Sequence, residues 1–153
     1  MDERQKKVLS SLQAQCSKRE YCSRDIRAKA LKALDSDAAA AEEVVAALLG
    51  ESYVDDLRYA GAFAREKARL QGWGPLKISA ALSAKGIPGE IIREAIMSIE
   101  PEEAYAKMES VLKAKYRSIE GEPDAKLRLI RFALSRGYEY NRIKKVIDEI
   151  CRI

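Results

Sequence analysis

Gly72-Trp73-Gly74-Pro75-Leu76-Lys77-Ile78 punctuates the centre of the chain, and it marks two helix boundaries. Gly72 can take the left-handed conformation that closes a helix. Pro75 fits a first helical position, where its missing N–H has no intrahelical partner to lose. Working outward, Asp55 can accept hydrogen bonds from the free amides of a first turn, which predicts a helix from about Asp55 to Gly72. A second helix is expected from Pro75 to Gly86 and a third from Pro88. The centre of the chain is therefore a unit of three short helices.

The 153 residues suffice for one domain or a row of small helical modules. A composition of 47% hydrophobic and 34% charged residues fits a folded, soluble, helix-rich protein, and no stretch alternates polar and β-branched apolar residues as a strand would. Met1 to Lys7 is charged, with no apolar signal core after it, and no run approaches the roughly 18 apolar residues of a membrane span. The expected location is the cytoplasm. Cys16, Cys22 and Cys151 are odd in number and sit in or beside apolar helical patterns, which suits buried thiols in a reducing compartment. The chain has no His and no Cys-x-x-Cys pair, which argues against a metal site and removes the commonest general base and the Ser-His and Cys-His nucleophile systems. A Walker-type phosphate loop is also absent. The expectation is a protein without enzymatic activity and without a cofactor.

The net charge of +4 is modest but unevenly placed. Arg4 to Lys32, Arg65 to Lys85 and Lys113 to Lys145 are basic, with acidic residues gathered at Asp37 to Asp56 and Glu90 to Glu103. Such alternation suits basic faces presented at intervals to a polyanion or an acidic protein surface, although plain solvated helix surface produces charge runs too.

Taken in order, a first helix from Glu3 to about Cys16 carries Val8, Leu9, Leu12 and Cys16 on one side. Ser23 is expected to cap a second, with Ile26, Ala30 and Leu34 inward. Asp35-Ser36-Asp37 ends it and caps a third, with Ala41, Val44, Val45, Leu48 and Leu49 inward and Gly50 closing it. In the central unit Tyr59, Ala60, Phe63, Ala64 and Leu70 share one face at about 100° per residue, with Arg58, Arg65 and Arg69 opposite. Lys67 falls in the apolar arc, where it would snorkel along its stem. The third helix of this unit carries Ile91, Ile92, Ala95, Ile96 and Ile99. Pro101 opens a longer helix to about Glu120, with Ala104, Tyr105, Met108, Val111, Leu112 and Tyr116 inward. Pro123 starts the next, with Leu129, Ile130, Ala133 and Leu134 inward and Arg128 and Arg131 outward, and Ile143, Val146, Ile147 and Ile150 mark the last.

These helices repeat. Lys85-Gly86-Ile87 and Arg136-Gly137-Tyr138 stand 51 residues apart (137 − 86), and Ile78, Ile92 and Ile96 shifted by the same amount land on Leu129, Ile143 and Ile147. The first fifty residues fit less tidily, since Ala30 and Leu34 stand where Leu82 and Gly86 would. A period near 50 with three helices per repeat predicts an all-α, elongated and curved array of three tandem three-helix repeats, covering 1–50, 51–100 and 101–153.

Here the residues resemble a known family. Tyr53-Val54-Asp55-Asp56-Leu57-Arg58-Tyr59-Ala60 is similar to the (Tyr/Phe/Leu)-(Ile/Val/Leu)-Asp-Asp-x-(Arg/Lys)-(Tyr/Phe)-Ala segment of the RecX regulatory proteins. Gly72-x-Gly74-Pro75-x-Lys77-Ile78, followed by Leu82, Lys85-Gly86-Ile87 and Ile92, is similar to that family's second signature, and Arg19-Glu20-Tyr21-Cys22-Ser23 to its N-terminal Arg-x-Tyr-(Ser/Thr) pattern. The resemblance is strongest over Glu51 to Ile96 and weakest in the last third. It implies a bacterial modulator of the RecA recombinase. Proteins like this lodge in the groove of the RecA filament on single-stranded DNA and usually inhibit filament growth, ATP hydrolysis and strand exchange, in DNA repair and the SOS response. Some also bind DNA directly. The implied partners are the RecA filament and single-stranded DNA, with the chain acting as a monomer. The Asp35-Ser36-Asp37 turn departs from the family pattern.

The residues offered as a partner or DNA surface are Arg58, Arg65 and Arg69 on one ridge and Arg128 and Arg131 on another, with Trp73, Lys77, Arg142 and Lys145 beside them. Trp is frequent at binding hot spots, and cationic ridges suit phosphates and carboxylates. The signature residues Asp55, Asp56, Gly72, Gly74, Pro75 and Gly86 are expected to be mainly structural. Two other classes remain. Pro75 to Ile96 has the spacing of a helix-turn-helix, but its second helix offers Glu90 and Glu94 with one Arg93, a poor set for base edges, whereas the last helix pair, with Asn141, Arg142, Lys144 and Lys145, keeps nonspecific DNA binding open. A helical-repeat scaffold for some other protein would differ only in its partner.

Overall fold

A computed structural model of the chain describes residues 1–152. Among them stand nine α-helices and no strand: α1 (Glu3–Lys18), α2 (Ser23–Ala33), α3 (Ala38–Gly50), α4 (Asp56–Gln71), α5 (Pro75–Ala84), α6 (Gly89–Met97), α7 (Pro101–Ile119), α8 (Ala125–Ser135) and α9 (Tyr140–Cys151). Each successive set of three helices encloses a core of its own. Leu12, Ile26, Ala30, Val44, Val45 and Leu48 fill the first. Tyr59, Ala60, Ala64, Ile78, Leu82 and Ile92 fill the second, joined by Cys22 from the start of α2. Met108, Leu112, Leu129, Ala133, Ile143 and Ile147 fill the third.

The array is drawn out. Its 9292 Å² of accessible surface exceeds the roughly 7,800 Å² expected of a compact 17.1 kDa chain. Three small cores in a row bury less than one large core, so each unit must lean on its neighbour.

The period shows most clearly where the second helix of each unit ends. Gly86 and Gly137 have φ of 79° and 92°, and 51 residues before Gly86 the equivalent place is held by Asp35, at φ 51°. In all three units the next residue's amide reaches back to close the helix: Ser36 to Leu31, Ile87 to Leu82 and Tyr138 to Ala133. The caps of the third helices keep the same step, at Asp37, Pro88 and Glu139. The buried face of α2 does not keep it, because Ile26 and Ala30 precede Ile78 and Leu82 by 52 residues (78 − 26). One extra residue in α2 explains the untidy first repeat, and Asp there occupies a left-handed position that glycine fills in the other two units.

Several boundaries differ from the sequence expectation. Ser23 is the first residue of α2 and the cap is Cys22. Gly50 remains helical, and Ser52 takes the left-handed turn at φ 62°. Pro88 and Asp124, at φ 61°, stand before α6 and α8 as their caps, so the helices start at Gly89 and Ala125 instead of the prolines. Leu49, Leu70, Tyr105 and Leu134, expected inward, are exposed: helical periodicity places them at the edge of the apolar arc, and the neighbouring unit does not reach over them.

Candidate partner-binding surface

The signature residues at the head of α4 do local structural work with one longer reach. Asp55 caps the helix through Oδ1, which accepts from the Arg58 amide at 3.1 Å. Asp56 points back to the first unit, where its two carboxylate oxygens accept from the Ser23 amide at 2.7 Å and the Ser23 hydroxyl at 2.6 Å. That carboxylate serves the free N-terminus of α2, which has no cap of its own. Arg58 is spent in the same region. Its guanidinium is bonded to Glu20 and donates to the carbonyl oxygens of Ser52 at 3.0 Å and Tyr53 at 3.3 Å. The Glu20 hydrogen bond raises its pKa further.

The Gly72 to Ile78 stretch is the meeting place of the second and third units. Gly72 closes α4 at φ 65°, and Pro75 opens α5. The Gly74 amide donates to the Arg136 carbonyl at 2.7 Å and the Leu76 amide to the Gly137 carbonyl at 3.0 Å, so the open end of α5 is satisfied by the last carbonyls around the end of α8. A Cβ on Gly74 would stand 2.4 Å from the Gly137 backbone, and one on Gly137 would stand 2.4 Å from the Lys77 backbone. From the other side, the Tyr138 hydroxyl donates to the Gly72 carbonyl and the Arg136 guanidinium to the Gln71 carbonyl, capping the end of α4. Burial pushes the Tyr138 phenol's pKa up.

Trp73 lies half-buried beside this lock. Its ring meets Phe63 edge-on at 6.1 Å, and the ammonium groups of Lys67 and Lys77 stand 4.9 and 4.4 Å from its centre. Lys67, placed by periodicity inside the apolar arc, has found the aromatic faces of Phe63 and Trp73.

The other cations are dispersed. Arg65 is exposed and donates to the Ser98 hydroxyl at 3.0 Å. Arg69 shares with it a cleft of about 470 Å³ that also holds Glu66, Glu100 and Glu103, so that ridge has mixed charge. Arg128 is taken by Glu122. Arg131 is exposed with no ion-pair partner among the described residues. Lys145 lines a shallow groove of α9 with Lys144, Arg152, Asp148 and Glu149. Arg142 lies elsewhere, at the mouth of a groove of about 300 Å³ between the second and third units, with Trp73, Met97, Tyr105 and Tyr138. The structure thus brings Trp73, Lys77 and Arg142 to one junction and leaves the rest apart. A Cβ added at Gly86 would meet the Arg24 side chain at 3.5 Å.

Sequence reasoning missed Met97 and Tyr105 as surface groups, and it missed the contact residues Asp25, Lys85 and Tyr138. The 51-residue step held a signal for Tyr138, whose hydroxyl is extra polarity at the place of the buried Ile87. Cys16 and Cys22 are buried, with thiol pKa values raised by that burial, as the apolar pattern around them predicts.

Comparison with known proteins sharpens the picture. Residues 55–96 match the model described as "RecX, second three-helix domain". The regulatory protein RecX of Thermus thermophilus is 36% identical over 100 residues, which cover 65% of this chain and 63% of that protein. The regulatory protein RecX of Haemophilus ducreyi is 29% identical over 133 residues, covering 86% of this chain and 85% of that one. The match to the Thermus protein therefore spans less than two thirds of its length. Among solved structures, RecX from Lactobacillus salivarius aligns over all of both chains with a TM-score of 0.83 at 20% identity. A second RecX crystal structure aligns with a TM-score of 0.84 at 22% identity, over 95% of this chain and 72% of that one. These two likenesses concern the fold.

Proposed function

The chain belongs to the RecX family, and from that premise we propose that it is a non-enzymatic regulator that docks on filaments of the RecA recombinase on single-stranded DNA and restrains their activity. The family match carries the reading. It acts as a monomer in the cytoplasm; among the described residues no helix is long and apolar enough to cross a membrane.

The contact surface in this reading is smaller than the full set of cations. Arg58 and Arg128 are neutralised within the fold by Glu20 and Glu122, and their removal would act on the fold. Arg65, Arg69, Lys77, Arg131, Arg142 and Lys145 have no ion-pair partner among the described residues and remain available for carboxylates or phosphates. Contacts of that kind weaken with salt and are blind to base sequence.

The test adds the pure protein to RecA filaments on single-stranded DNA and follows ATP hydrolysis and strand exchange. Both should fall at micromolar protein, and no change in either overturns the reading. Arg65→Glu with Arg69→Glu should weaken filament binding roughly tenfold, the loss expected when contacts worth about 1.4 kcal/mol are reversed, with unchanged helical content by circular dichroism. Undiminished binding would remove that ridge from the surface.

A further inference from the structure

The first unit is joined to the second over a narrow footprint. Its core takes in Val54 and has Tyr53 packed against it, and α4 begins at Asp56, so Asp55 alone lies between the two bodies, in an extended conformation. Among the described residues Cys22 is the one first-unit side chain that enters the second core. The hydrogen bonds that link the body of the first unit to the second all involve residues 20–25. Ser23 donates to Asp56, the Arg24 guanidinium to the Ala84 carbonyl, Lys85 to Asp25 and Arg58 to Glu20. Every one of them uses a side chain, and among the described residues no backbone amide of either unit meets a backbone carbonyl of the other.

The second junction is held at two separate places. At the start of α5, the Gly74 and Leu76 amides donate to the Arg136 and Gly137 carbonyls. At the end of α4, the Tyr138 hydroxyl and the Arg136 guanidinium cap the Gly72 and Gln71 carbonyls, and a Cβ on Gly72 would stand 2.8 Å from Val111 of α7. Two contact zones on different helices, one of them backbone on backbone, resist rotation. A single short segment does not.

We infer that the first junction is a hinge: the first unit turns as a body about Asp55 and the buried Cys22, while the second and third units move together, and the Asp25–Lys85 and Glu20–Arg58 pairs latch the first unit in the observed pose. The Ser23 bond to Asp56 lies at the pivot, since each partner follows a pivot residue directly, and it persists through a turn. The latching cations stand on different elements, Arg58 on α4 and Lys85 at the end of α5. The four side chains of the two pairs are 29–44% exposed, so dissolved ions reach and screen them. The backbone contacts of the second junction offer salt no such target. A small polar contact beside one or two residues of connecting chain is how hinged bodies are commonly joined. The hinge sets how far the first unit can follow a surface already gripped by the other two, and it does not depend on what that surface is.

The test reads two distances in the whole chain. Nitroxides on unnatural side chains replace the exposed Ala46, Met97 and Lys145, and pulsed electron paramagnetic resonance gives the Ala46–Met97 distance across the first junction and the Met97–Lys145 distance across the second. At low salt both distributions should be narrow. At about 0.5 M salt, and at low salt in the near-isosteric variant Glu20→Gln with Asp25→Asn, the Ala46–Met97 distribution should widen about twofold while Met97–Lys145 stays constant. Helical content by circular dichroism should not change. An Ala46–Met97 distribution as narrow as Met97–Lys145 in every condition overturns the hinge. Equal widening of both distances also overturns it, because the motion would then belong to the whole array. Widening with loss of helical content overturns it as well, since α2 would be melting instead of turning. Widening in salt without widening in the variant, or a distribution already wide at low salt, overturns the latch assigned to these two pairs.

Discussion

The two junctions of the array assemble equivalent parts by different means. In each, the start of one unit's second helix meets the end of the next unit's second helix. Between the second and third units the contact is backbone on backbone: the Gly74 and Leu76 amides enter the Arg136 and Gly137 carbonyls. Between the first and second units it is made by side chains. Lys85 pairs with Asp25 at 3.0 Å, the Arg24 guanidinium donates to the Ala84 carbonyl at 2.7 Å, and Asp56 holds Ser23. The cause is legible in one position. The cap of α2 equivalent to Gly74, 52 residues earlier (74 − 22), is Cys22, which carries a buried side chain where Gly74 has none. There the free amide at the start of α2 is served by the Asp56 carboxylate in place of a backbone carbonyl. The tight junction is therefore steric and insensitive to ions, and the loose one is polar and tunable.

Substitution at the steric junction should have the largest effect. Gly137→Ala meets the backbone nitrogen and Cβ of Lys77 at 2.4 Å and must also hold φ near 92°. Neither neighbour is the flexible end of a side chain, so the cost should be about 3 kcal/mol or more, lowering the thermal midpoint by roughly 6–12 °C. A midpoint within two degrees of wild type would show that the junction is not closed as described. Tyr138→Phe is milder: it removes the donor to the Gly72 carbonyl without changing shape, for a loss of about 1–2 kcal/mol. Faster hydrogen exchange at the Leu76 amide would place that loss at the junction, and unchanged exchange would speak against it.

At the polar junction the largest single effect should come from Asp56→Ala. It strips the acceptor from the Ser23 amide and hydroxyl, and the loss should be about 1 kcal/mol, the worth of a helix N-cap. Native-state hydrogen exchange should quicken at the start of α2 and stay constant at Gly74 and Leu76. Equal quickening at both sites would erase the distinction between the junctions.

The sequence supplied one side of this comparison far better than the other. Glycine and proline spacing outlined the helices and the 51-residue step, because local punctuation obeys backbone rules that operate within a few residues. The reason for Gly74 was hidden. Its neighbour Gly137 is 63 positions away (137 − 74), and a close backbone approach leaves no mark beyond the glycine itself. The acidic pair at Asp55 and Asp56 could be read as a cap, and Asp55 is one, while the reach of Asp56 to Ser23 depends on how the units dock. The arginine ridge of α4 was legible as a face but not as a site. Whether a surface cation is free depends on carboxylates from other helices, such as Glu20 beside Arg58, and helical periodicity carries no information about them.

The smallest effect, and the most diagnostic, belongs to Asp25 with Lys85. Burial pushes the Asp25 pKa up, but the Lys85 hydrogen bond and charge, with Cys22 and Arg24, outweigh it, and the net direction is down from the ordinary 3.8. The Asp25 hydrogen bond raises the Lys85 pKa from the ordinary 10.5, against a smaller opposing effect of burial. An acid with a lowered pKa stabilises the fold above its unfolded value and loses that contribution as pH falls through the folded one. A base with a raised pKa contributes below its unfolded value and loses the contribution as pH rises through the folded one. The pair is therefore at full strength between about pH 4 and pH 10. Because both side chains are more than a third exposed, solvent leaves only a few tenths of a kcal/mol. Asp25→Asn should lower the thermal midpoint by about 1 °C at pH 7, and the gap to wild type should close as pH falls below the folded Asp25 pKa. Added salt at pH 7 should narrow the same gap, since exposed pairs are screened, while the Tyr138→Phe gap should hold constant. A gap that widens in acid would reverse the assigned sign. A Tyr138→Phe gap that shrinks with salt as fast as the Asp25→Asn gap would mean that both junctions are ionic, and the steric account of Gly74 would fall with it.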